Sequence, residues 1–282
     1  MAEAGRPLPI SDANENLRLY SMKGWIEEVR HMILSGAAVD AAEAVEGNTP
    51  MMEAARCGED EVVRELLRYG ADVGLSNALQ QTAMQLAVQK GHADVVRTLV
   101  RHGAPCRDAR GWTALCDAAS RGHGDVVRVL VDEGLRATCP GTEVDTTNMI
   151  GETSLMLCAA KGHTVVARHL VSLSADVDAQ DMHGSTALMK AAGAGHTDMA
   201  RYLLEIGAET NMSDDAGHTA VLYASRHGHL AVVRALVDFG GAAHTLGGKR
   251  MFDQPAYGPN AVNTMMTVPE PGRYLPGAGP YM

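Results

Sequence analysis

Aromatic side chains are scarce in this sequence of 282 residues: phenylalanine, tryptophan and tyrosine together make up 4% of it. Hydrophobic residues nevertheless account for 46%, and alanine, valine, leucine and 16 methionines supply most of them. A hydrophobic fraction this high excludes a chain that is disordered throughout. Small and flexible apolar side chains suit many thin, repeated layers better than one thick core.

Cysteine is also rare, and it has no paired spacing. The cysteines include no CxxC pair and are odd in number: Cys57, Cys106, Cys116, Cys139 and Cys158. This pattern indicates neither a zinc ribbon nor a disulfide framework. It fits a protein of a reducing compartment.

Positive charge is in deficit, with 24 basic against 34 acidic residues and a formal net charge of −10. Proteins that bind nucleic acid usually show a basic face and a high pI, and anionic membranes also attract basic segments. The N-terminus has no apolar run like that of a secretory signal, and no uncharged apolar stretch is long enough to span a membrane. We therefore expect a cytosolic or nuclear protein that binds neither nucleic acid nor membrane.

Repetition is what the sequence has in abundance. Six similar phrases begin at threonines that are 33, 31, 40, 33 and 33 residues apart, and a glycine follows each threonine nine residues later. Eight residues beyond each glycine comes an aliphatic pair, such as Leu203-Leu204. A degraded earlier copy, which includes Leu17 and Gly24, brings the number of units to seven. The phrases begin at Thr49, Thr82, Thr113, Thr153, Thr186 and Thr219.

One unit is enough to predict the local structure. Thr186 is a good N-cap for a first helix with small apolar residues on one face, and Gly195 would end that helix in a tight turn. Leu203 belongs to the apolar stripe of a second helix, for which Gly207 fits a left-handed cap. Residues 208–217 then read as an extended arm with a turn. Neither helix could bury its apolar face alone, so the units must stack.

The recurring phrase GxTALMxAAxxGHxxxxRxLLxxGA resembles the ankyrin repeat, and GlyAlaAspVal at 70–73 matches the family's usual end of a repeat. The methionine-bearing TALM form is similar to repeats of large protist ankyrin families. The resemblance implies an all-α repeat solenoid, in which each unit is a helix-turn-helix with a β-hairpin arm. It also implies a protein that binds other proteins and is not an enzyme.

We predict an ankyrin-repeat domain over residues 14–246, between a flexible N-terminus (1–13) and a tail (247–282). The tail holds six of the eleven prolines and three of the seven tyrosines, a composition that favours disorder. Its segment 269–276 is alternatively a short linear peptide for another protein's groove. The predicted units are 14–46, 47–79, 80–110, 111–150, 151–183, 184–216 and 217–246.

Three departures from the family pattern carry further expectations. The histidine of the family's TPLH motif, which ties neighbouring repeats together, is absent from its slots, so apolar packing must replace much of that tie. The 40-residue spacing predicts a lengthened hairpin finger between Gly134 and Gly151, either a tolerated surface loop or a partner contact. The 31-residue spacing predicts a shortened hairpin at 104–112. Residues in the histidine slots are Met52, Gln85, Cys116, Met156, Met189 and Leu222.

No catalytic, metal or cofactor site is predicted. Cys116 and Cys158 occupy slots of small core residues. The residues 238–240 spell the kinase tripeptide DFG, but the other kinase motifs do not precede it. Five histidines recur one repeat apart, which is too far for a shared metal ion. They are His92, His123, His163, His196 and His229.

The family resemblance implies that partner proteins contact the concave side, formed by the arms and the first helices. Trp112 with three nearby arginines forms a predicted basic-aromatic patch for an acidic or aromatic partner segment; alternatively Trp112 packs over the shortened hairpin. We expect a monomeric scaffold or adaptor, with a regulatory inhibitor of an enzyme as the alternative. The predicted partner-binding residues are Gln81, Lys90, Arg107, Arg110, Trp112, Arg121, Glu152, Met182, His183, His218 and Arg226.

Overall fold

The computed structural model describes residues 13–107, 111, 113–137 and 139–239. Within these residues the chain folds into fourteen α-helices joined in seven helix-turn-helix pairs. The helices are α1 Ala13–Lys23, α2 Ile26–Leu34, α3 Pro50–Cys57, α4 Asp60–Arg68, α5 Ala83–Lys90, α6 Ala93–Arg101, α7 Ala114–Arg121, α8 Gly124–Ala137, α9 Ser154–Lys161, α10 Thr164–Ser172, α11 Ala187–Ala194, α12 Thr197–Glu205, α13 Ala220–Arg226 and α14 Leu230–Asp238.

Threonine and glycine set the limits of the first helix of most units. In the five units from α3 to α11, the N-cap threonine accepts a hydrogen bond from a backbone N–H three residues on; Met189 N lies 3.3 Å from Thr186 Oγ1. The same five helices end at a glycine with φ between 76° and 86°. This left-handed backbone favours glycine and turns the chain into the second helix.

The helices form two layers. Each odd-numbered helix from α1 to α13 packs on the next odd-numbered helix, and each even-numbered helix packs on the next even-numbered one. One continuous core lies between the layers. It contains the leucine column that the repeat spacing predicts, fully buried at Leu66, Leu99, Leu130, Leu170, Leu203 and Leu236. The predicted all-α repeat solenoid is therefore confirmed.

Four of the arms between units are short hairpins closed by one antiparallel bridge each. An Asn or Asp after the first bridge residue holds the turn: Asn77 Oδ1 accepts from the backbone N–H groups of Leu79 and Gln81 at 3.0 and 2.9 Å. Neighbouring arms are joined through the backbone, as where Met182 N donates to Ile150 O at 3.1 Å. The bridges are Ser76–Thr82, Arg107–Thr113, Thr147–Thr153 and Ser213–Thr219.

The two irregular arms differ from the expectation. All four bridges join residues six positions apart, so neither the hairpin at Arg107 nor that at Thr147 is shortened or lengthened. The two missing residues come from the segment between the end of the second helix and the hairpin, which we call the descent. Six positions separate Gly70 from Ser76, but only four separate Gly103 from Arg107. The predicted shortened hairpin is therefore wrong.

The seven additional residues also lie before their hairpin and do not form a projecting finger. Part of them extends α8 to 14 residues, and the rest folds back on the array. Thr142 is 2% exposed, and its hydroxyl donates to Cys139 O at 2.8 Å. Arg107 Nη2 donates to Thr146 Oγ1 at 3.0 Å. The insertion thus fills the space beside the arm that lost two residues.

The structure also contains a disulfide, although the cysteine pattern predicted none. Cys106, in the shortened descent, and Cys139, in the insertion, form a disulfide with their Cα atoms 6.5 Å apart. The sequence offered no signal for this pair, because the two cysteines lie 33 positions apart in different units. Cys57, Cys116 and Cys158 are free thiols.

Both ends of the chain lie largely outside the described residues. The predicted flexible N-terminus falls there apart from Ala13, the first residue of α1. The predicted disordered tail at 247–282 falls there entirely, as does Gly240.

Candidate protein-binding face

The odd-numbered helices and the arms form one face of the array, and histidines hold its units in register. In five units a histidine follows the inter-helix glycine and turns its Nε2 toward a backbone carbonyl of the preceding unit, at 3.1 to 3.3 Å. Because a carbonyl only accepts, this Nε2 carries the proton. The bonded pairs are His92–Arg56, His123–Gln89, His163–Ser120, His196–Ala160 and His229–Gly193.

Sequence reasoning missed this tie between repeats. It assigned the tie to the absent TPLH histidine and expected apolar packing in its place. The slot is indeed buried, as at Met156 and Met189, but Gln85 Oε1 also accepts from Thr82 N at 2.9 Å. The even spacing of the histidines that follow the inter-helix glycines could be read from the sequence. Their carbonyl partners, about one repeat away, could not.

Exposed apolar side chains stand at the tips of four arms, although large apolar groups are usually buried. Val45 is 81% exposed, Leu79 65%, Met149 69% and Met182 67%. Val45, Met149 and Met182 lie four positions before the N-cap threonine of the next helix, and Leu79 lies three positions before its own, so all four lie in a row of arm tips along the array. We call Leu79, Met149 and Met182 the apolar tips.

Among the described residues, the arm of Leu79 and the arm of Met149 line a groove of about 600 Å³ that is partly open to solvent. Gln81 and Gln89 line one side, and Arg121 lies on its floor. Glu152 lines the opposite side. The groove therefore brings together three of the predicted partner-binding residues, Gln81, Arg121 and Glu152.

The other described members of the predicted set are spread along the face. Met182 and His183 are exposed at an arm tip, and Lys90 is exposed at the end of α5. Arg226 Nη1 lies 3.5 Å from His218 Nε2 in the last unit.

Of the predicted basic-aromatic patch, Arg110 and Trp112 lie outside the described residues. Arg107 donates to Gly111 O at 3.2 Å and braces the insertion, and Arg121 Nε lies 2.8 Å from Asp117 Oδ1. Both described arginines thus have partners within the fold, and the patch stays a prediction.

The comparisons with known proteins agree with this geometry. A model of the ankyrin repeat matches residues 46–78, and a model of ankyrin repeats in three copies matches 69–140, 102–181, 134–214 and 155–246. Together these matches span residues 46–246, more than half of the chain.

The chain belongs to the ankyrin-repeat family. The crystal structure of the human ASB11 ankyrin repeat domain is similar to it, with a TM-score of 0.68 and 21% sequence identity. The match covers 80% of this chain and 97% of that one, and at this identity it shows the fold alone. No curated protein sequence matches the chain. Ankyrin repeats generally mediate protein–protein interaction.

A partly buried group of ion pairs supports two ankyrin arms toward the C-terminal end of the array. Lys190 Nζ on α11 lies 2.8 Å from Glu152 Oε1 and 2.8 Å from Asp181 Oδ2, so it links two successive arms. Burial alone would raise the pKa of Asp181, but hydrogen bonds from Lys190 and from the backbone of Ser185 and His183 lower it overall. Burial alone would lower the pKa of Lys190, and the two carboxylates raise it overall.

The last arm has a similar arrangement. Tyr223 donates to Asp214 Oδ2 at 2.6 Å, and His218 Nδ1 lies 3.4 Å from the same oxygen. Burial opposes ionisation of Asp214, but these partners lower its pKa overall. Such pairs fix the arms against the first helices of the ankyrin units.

The buried thiols are placed as core residues. Burial raises the pKa of Cys158 to about 12, and burial also raises the pKa of Cys116. Because the thiolate is the reactive form, neither residue is poised as a nucleophile.

The described residues include one close group of acidic side chains, Glu43, Glu46 and Glu53, with carboxylate oxygens within 4.8 Å of one another. Asn48 Nδ2 donates to Glu46 and Glu53 at 2.9 and 3.0 Å, and Arg56 pairs with Glu53. These partners account for the cluster without a metal ion. Across the described part of the chain, no helix has the length and apolarity needed to cross a membrane.

Proposed function

We propose that this ankyrin array is a non-catalytic scaffold or adaptor that binds partner proteins on the face formed by its arms and first helices. The observation that supports it best is the row of exposed apolar tips. Exposed apolar groups that line up on one side of a molecule are typical of an interaction surface. The histidine ties and the Lys190 pair hold that row in a fixed geometry, which reduces the entropy lost on binding.

The predicted partner-binding residues, among them Arg110 and Trp112, belong to the same face in the family pattern. Tryptophan and arginine are common at the centres of protein interfaces. We therefore expect Trp112→Ala to weaken partner capture without lowering the melting temperature. Equal capture by both proteins would remove Trp112 from the site.

The face as a whole is tested with the variant Leu79→Asp/Met149→Asp/Met182→Asp. Its control is Val165→Asp, because Val165 is 80% exposed on α10, in the layer of even-numbered helices. The wild-type chain and both variants are used as bait in a lysate, and captured proteins are quantified by mass spectrometry. We expect the triple variant to lose partners that the control retains.

Partners that survive the triple substitution but are lost with Val165→Asp would place binding on the other layer and contradict the proposal. For a captured enzyme, an activity assay with added ankyrin array separates the scaffold from the regulatory inhibitor. A scaffold leaves the activity of its partner unchanged, whereas an inhibitor reduces it.

A further inference from the structure

The described part of the array ends in an apolar face that is only partly covered. Each second helix has a small apolar residue at its fourth position, and from α2 to α12 this side chain is fully buried. In α14 the residue is Val233, which is half-buried, and Val237 one turn later is 44% exposed. The matching residue of α12, Leu204, is only 5% exposed. The six buried residues are Val29, Val63, Val96, Val127, Ala167 and Ala200.

This fourth position faces the following unit. Val29 belongs to the first described pair of helices, which has only a following neighbour, and it is fully buried. Val233 belongs to the last described pair, which has only a preceding neighbour. The terminal units of a solenoid require a polar outer face to stay soluble. The apolar end formed by α13 and α14 therefore needs a cap.

Among the described residues, the turn between α13 and α14 also lacks a contact that five other turns have. In those turns the histidine of the following unit lies against the inter-helix glycine, as His196 does against Gly162. Nothing described lies within 4 Å of a Cβ built on Gly228. The matching carbonyl acceptor is that of Arg226, two positions before Gly228, as Ala160 is two positions before Gly162. The end face thus has an empty histidine position beside its apolar patch.

The sequence supplies one histidine after α14, and that histidine can reach this position. His244 is the only histidine in residues 240–282. The nine residues of α14 are about 13 Å long as a helix, whereas the five residues that lead from Phe239 to His244 span up to about 17 Å when extended. Gly240 and Gly241 permit the chain to reverse, because glycine adopts backbone conformations that are closed to other residues.

We propose that residues 240–244 fold back along α14 and cap the array of the same chain. Ala242 and Ala243 cover the apolar patch, and His244 fills the empty histidine position by donating its Nε2–H to Arg226 O. A segment joined directly to α14 acts at a high effective concentration, so few contacts are enough to hold it. The cap lies at the end of the array and does not depend on the row of apolar tips.

A second copy of the chain is the other candidate for this end, and two properties disfavour it. The face offers a few side chains, whereas a stable interface has about 20–30 residues on each side. Two copies would also bring together two net charges of −10, which repel each other.

The test measures how fast diethylpyrocarbonate acylates each histidine of the full chain at pH 7, with mass spectrometry as the readout. The reagent attacks an accessible, unprotonated ring nitrogen. In the proposed cap, Nε2 of His244 carries a proton and Nδ1 lies against Gly228. His31, which is exposed on α2, is the internal reference. We expect His244 to react about tenfold more slowly than His31, as for a net stabilisation of about 1.4 kcal/mol.

Two pairs of matched variants locate the protected histidine. Gly228→Ala places a Cβ where the histidine would lie, whereas Gly207→Ala also has a positive φ but has nothing within 4 Å of its Cβ. Val237→Asp places a charge under the segment, whereas Val165→Asp places one on the exposed surface of α10. We expect Gly228→Ala and Val237→Asp each to raise the acylation rate of His244 about tenfold, and their controls to leave it unchanged. Melting temperatures show that the variants are folded.

Equal acylation rates of His244 and His31 in the wild-type chain would overturn the proposal. Protection of His244 that appears only at high protein concentration would also overturn it, because that result assigns the face to a second copy. Protection that persists in Gly228→Ala and Val237→Asp would place His244 elsewhere. The apolar-tip variant tests partner capture separately, so the proposed function can stand if the cap fails.

Discussion

The glycine between the two helices of a repeat meets two demands at once. In five units its φ is positive and the histidine of the following unit lies directly against it. A Cβ built on Gly162 would lie 2.7 Å from His196 Nδ1, closer than real Cβ contacts allow. Within a unit, the turn requires glycine because of its positive φ. Between units, the histidine of the next unit requires glycine because a Cβ would not fit beside it.

These two demands can be separated by substitution. Gly162→Ala meets both the strained backbone and His196, whereas Gly207→Ala, with φ of 95° and nothing within 4 Å of its Cβ, meets only the backbone. We expect Gly207→Ala to lower the free energy of unfolding by about 1–2 kcal/mol. Gly162→Ala should cost about 1–3 kcal/mol more, because the histidine must move. Urea denaturation measures both.

The double variant Gly162→Ala/His196→Ala provides the control. Removing the ring should return part of the added cost, although it also removes the bond to Ala160 O. If the two glycine variants are equally stable, the contact with histidine contributes nothing.

Lys190 yields a second prediction at this scale. The folded-state pKa of Asp181 is lowered, so its stabilisation is present above the unfolded pKa of about 3.9 and is lost as pH falls through the folded pKa. The pKa of Lys190 is raised, so its stabilisation is present below about 10.4 and is lost as pH rises through the folded pKa. Lys190→Met should cost about 3 kcal/mol at pH 7.

That cost should shrink below about pH 4, because protonation of Asp181 removes the unpaired buried charge. The measurement is urea denaturation of both proteins at pH 7 and pH 3. Lys161→Met, which removes an exposed lysine of α9, is the matched control and should change stability little at either pH. A cost for Lys190→Met that is the same at both pH values would contradict the assigned pairing.

At the scale of elements, the deletion and the insertion in neighbouring units compensate each other. The descent after α6 is two residues short, and the extra residues after α8 fold into that space, where Cys139 joins Cys106. The sequence predicted both changes in length, because the spacing between threonines gives the total length of a unit. It could not predict where in the unit they fall, since the same total fits a changed hairpin, a changed segment before the hairpin or a longer second helix.

Opening the disulfide should therefore loosen one arm of the array. We expect Cys139→Ser to lower the free energy of unfolding by about 2–4 kcal/mol. Hydrogen exchange should rise at 139–146, which the disulfide holds beside Arg107. Adding dithiothreitol to the wild type should reproduce the effect.

Cys57→Ser controls for the loss of a thiol, because Cys57 is a free and half-buried cysteine in another unit. It should leave exchange at 139–146 unchanged. If Cys139→Ser and the wild type show the same exchange there, the insertion is held by its hydrogen bonds and not by the disulfide.

At the scale of the whole molecule, the sequence could predict the features that recur in every repeat. The leucine column follows from the period and lies in the core as expected. The groove depends on features that occur once. One is Gln80, which has a positive φ where the other arms have glycine, and another is the pairing of Arg121 with Asp117. The sequence named Gln81, Arg121 and Glu152 from the family pattern, but it gave no sign that Arg121 pairs with Asp117 or that Glu152 pairs with Lys190.

Stacking also determines how far the destabilisation caused by a substitution extends, because each unit of a solenoid contacts only its neighbours. Leu130 on α8 lies in a unit with a neighbour on each side, and Leu236 on α14 lies in the last described pair, which packs on α12. Both side chains are fully buried. Substitution by alanine should cost about 2–5 kcal/mol in either case, with the larger cost at Leu130, where neighbours on two sides border the cavity.

The two variants should differ most in where protection is lost. By hydrogen exchange with mass spectrometry, Leu236→Ala should raise exchange in α13 and α14 while α5 to α8 keep their wild-type rates. Leu130→Ala should raise exchange in α7 and α8 and in the units on both sides. Equal, chain-wide loss of protection in both variants would instead show that the array unfolds as one cooperative block, with coupling between units stronger than any single layer's own stability.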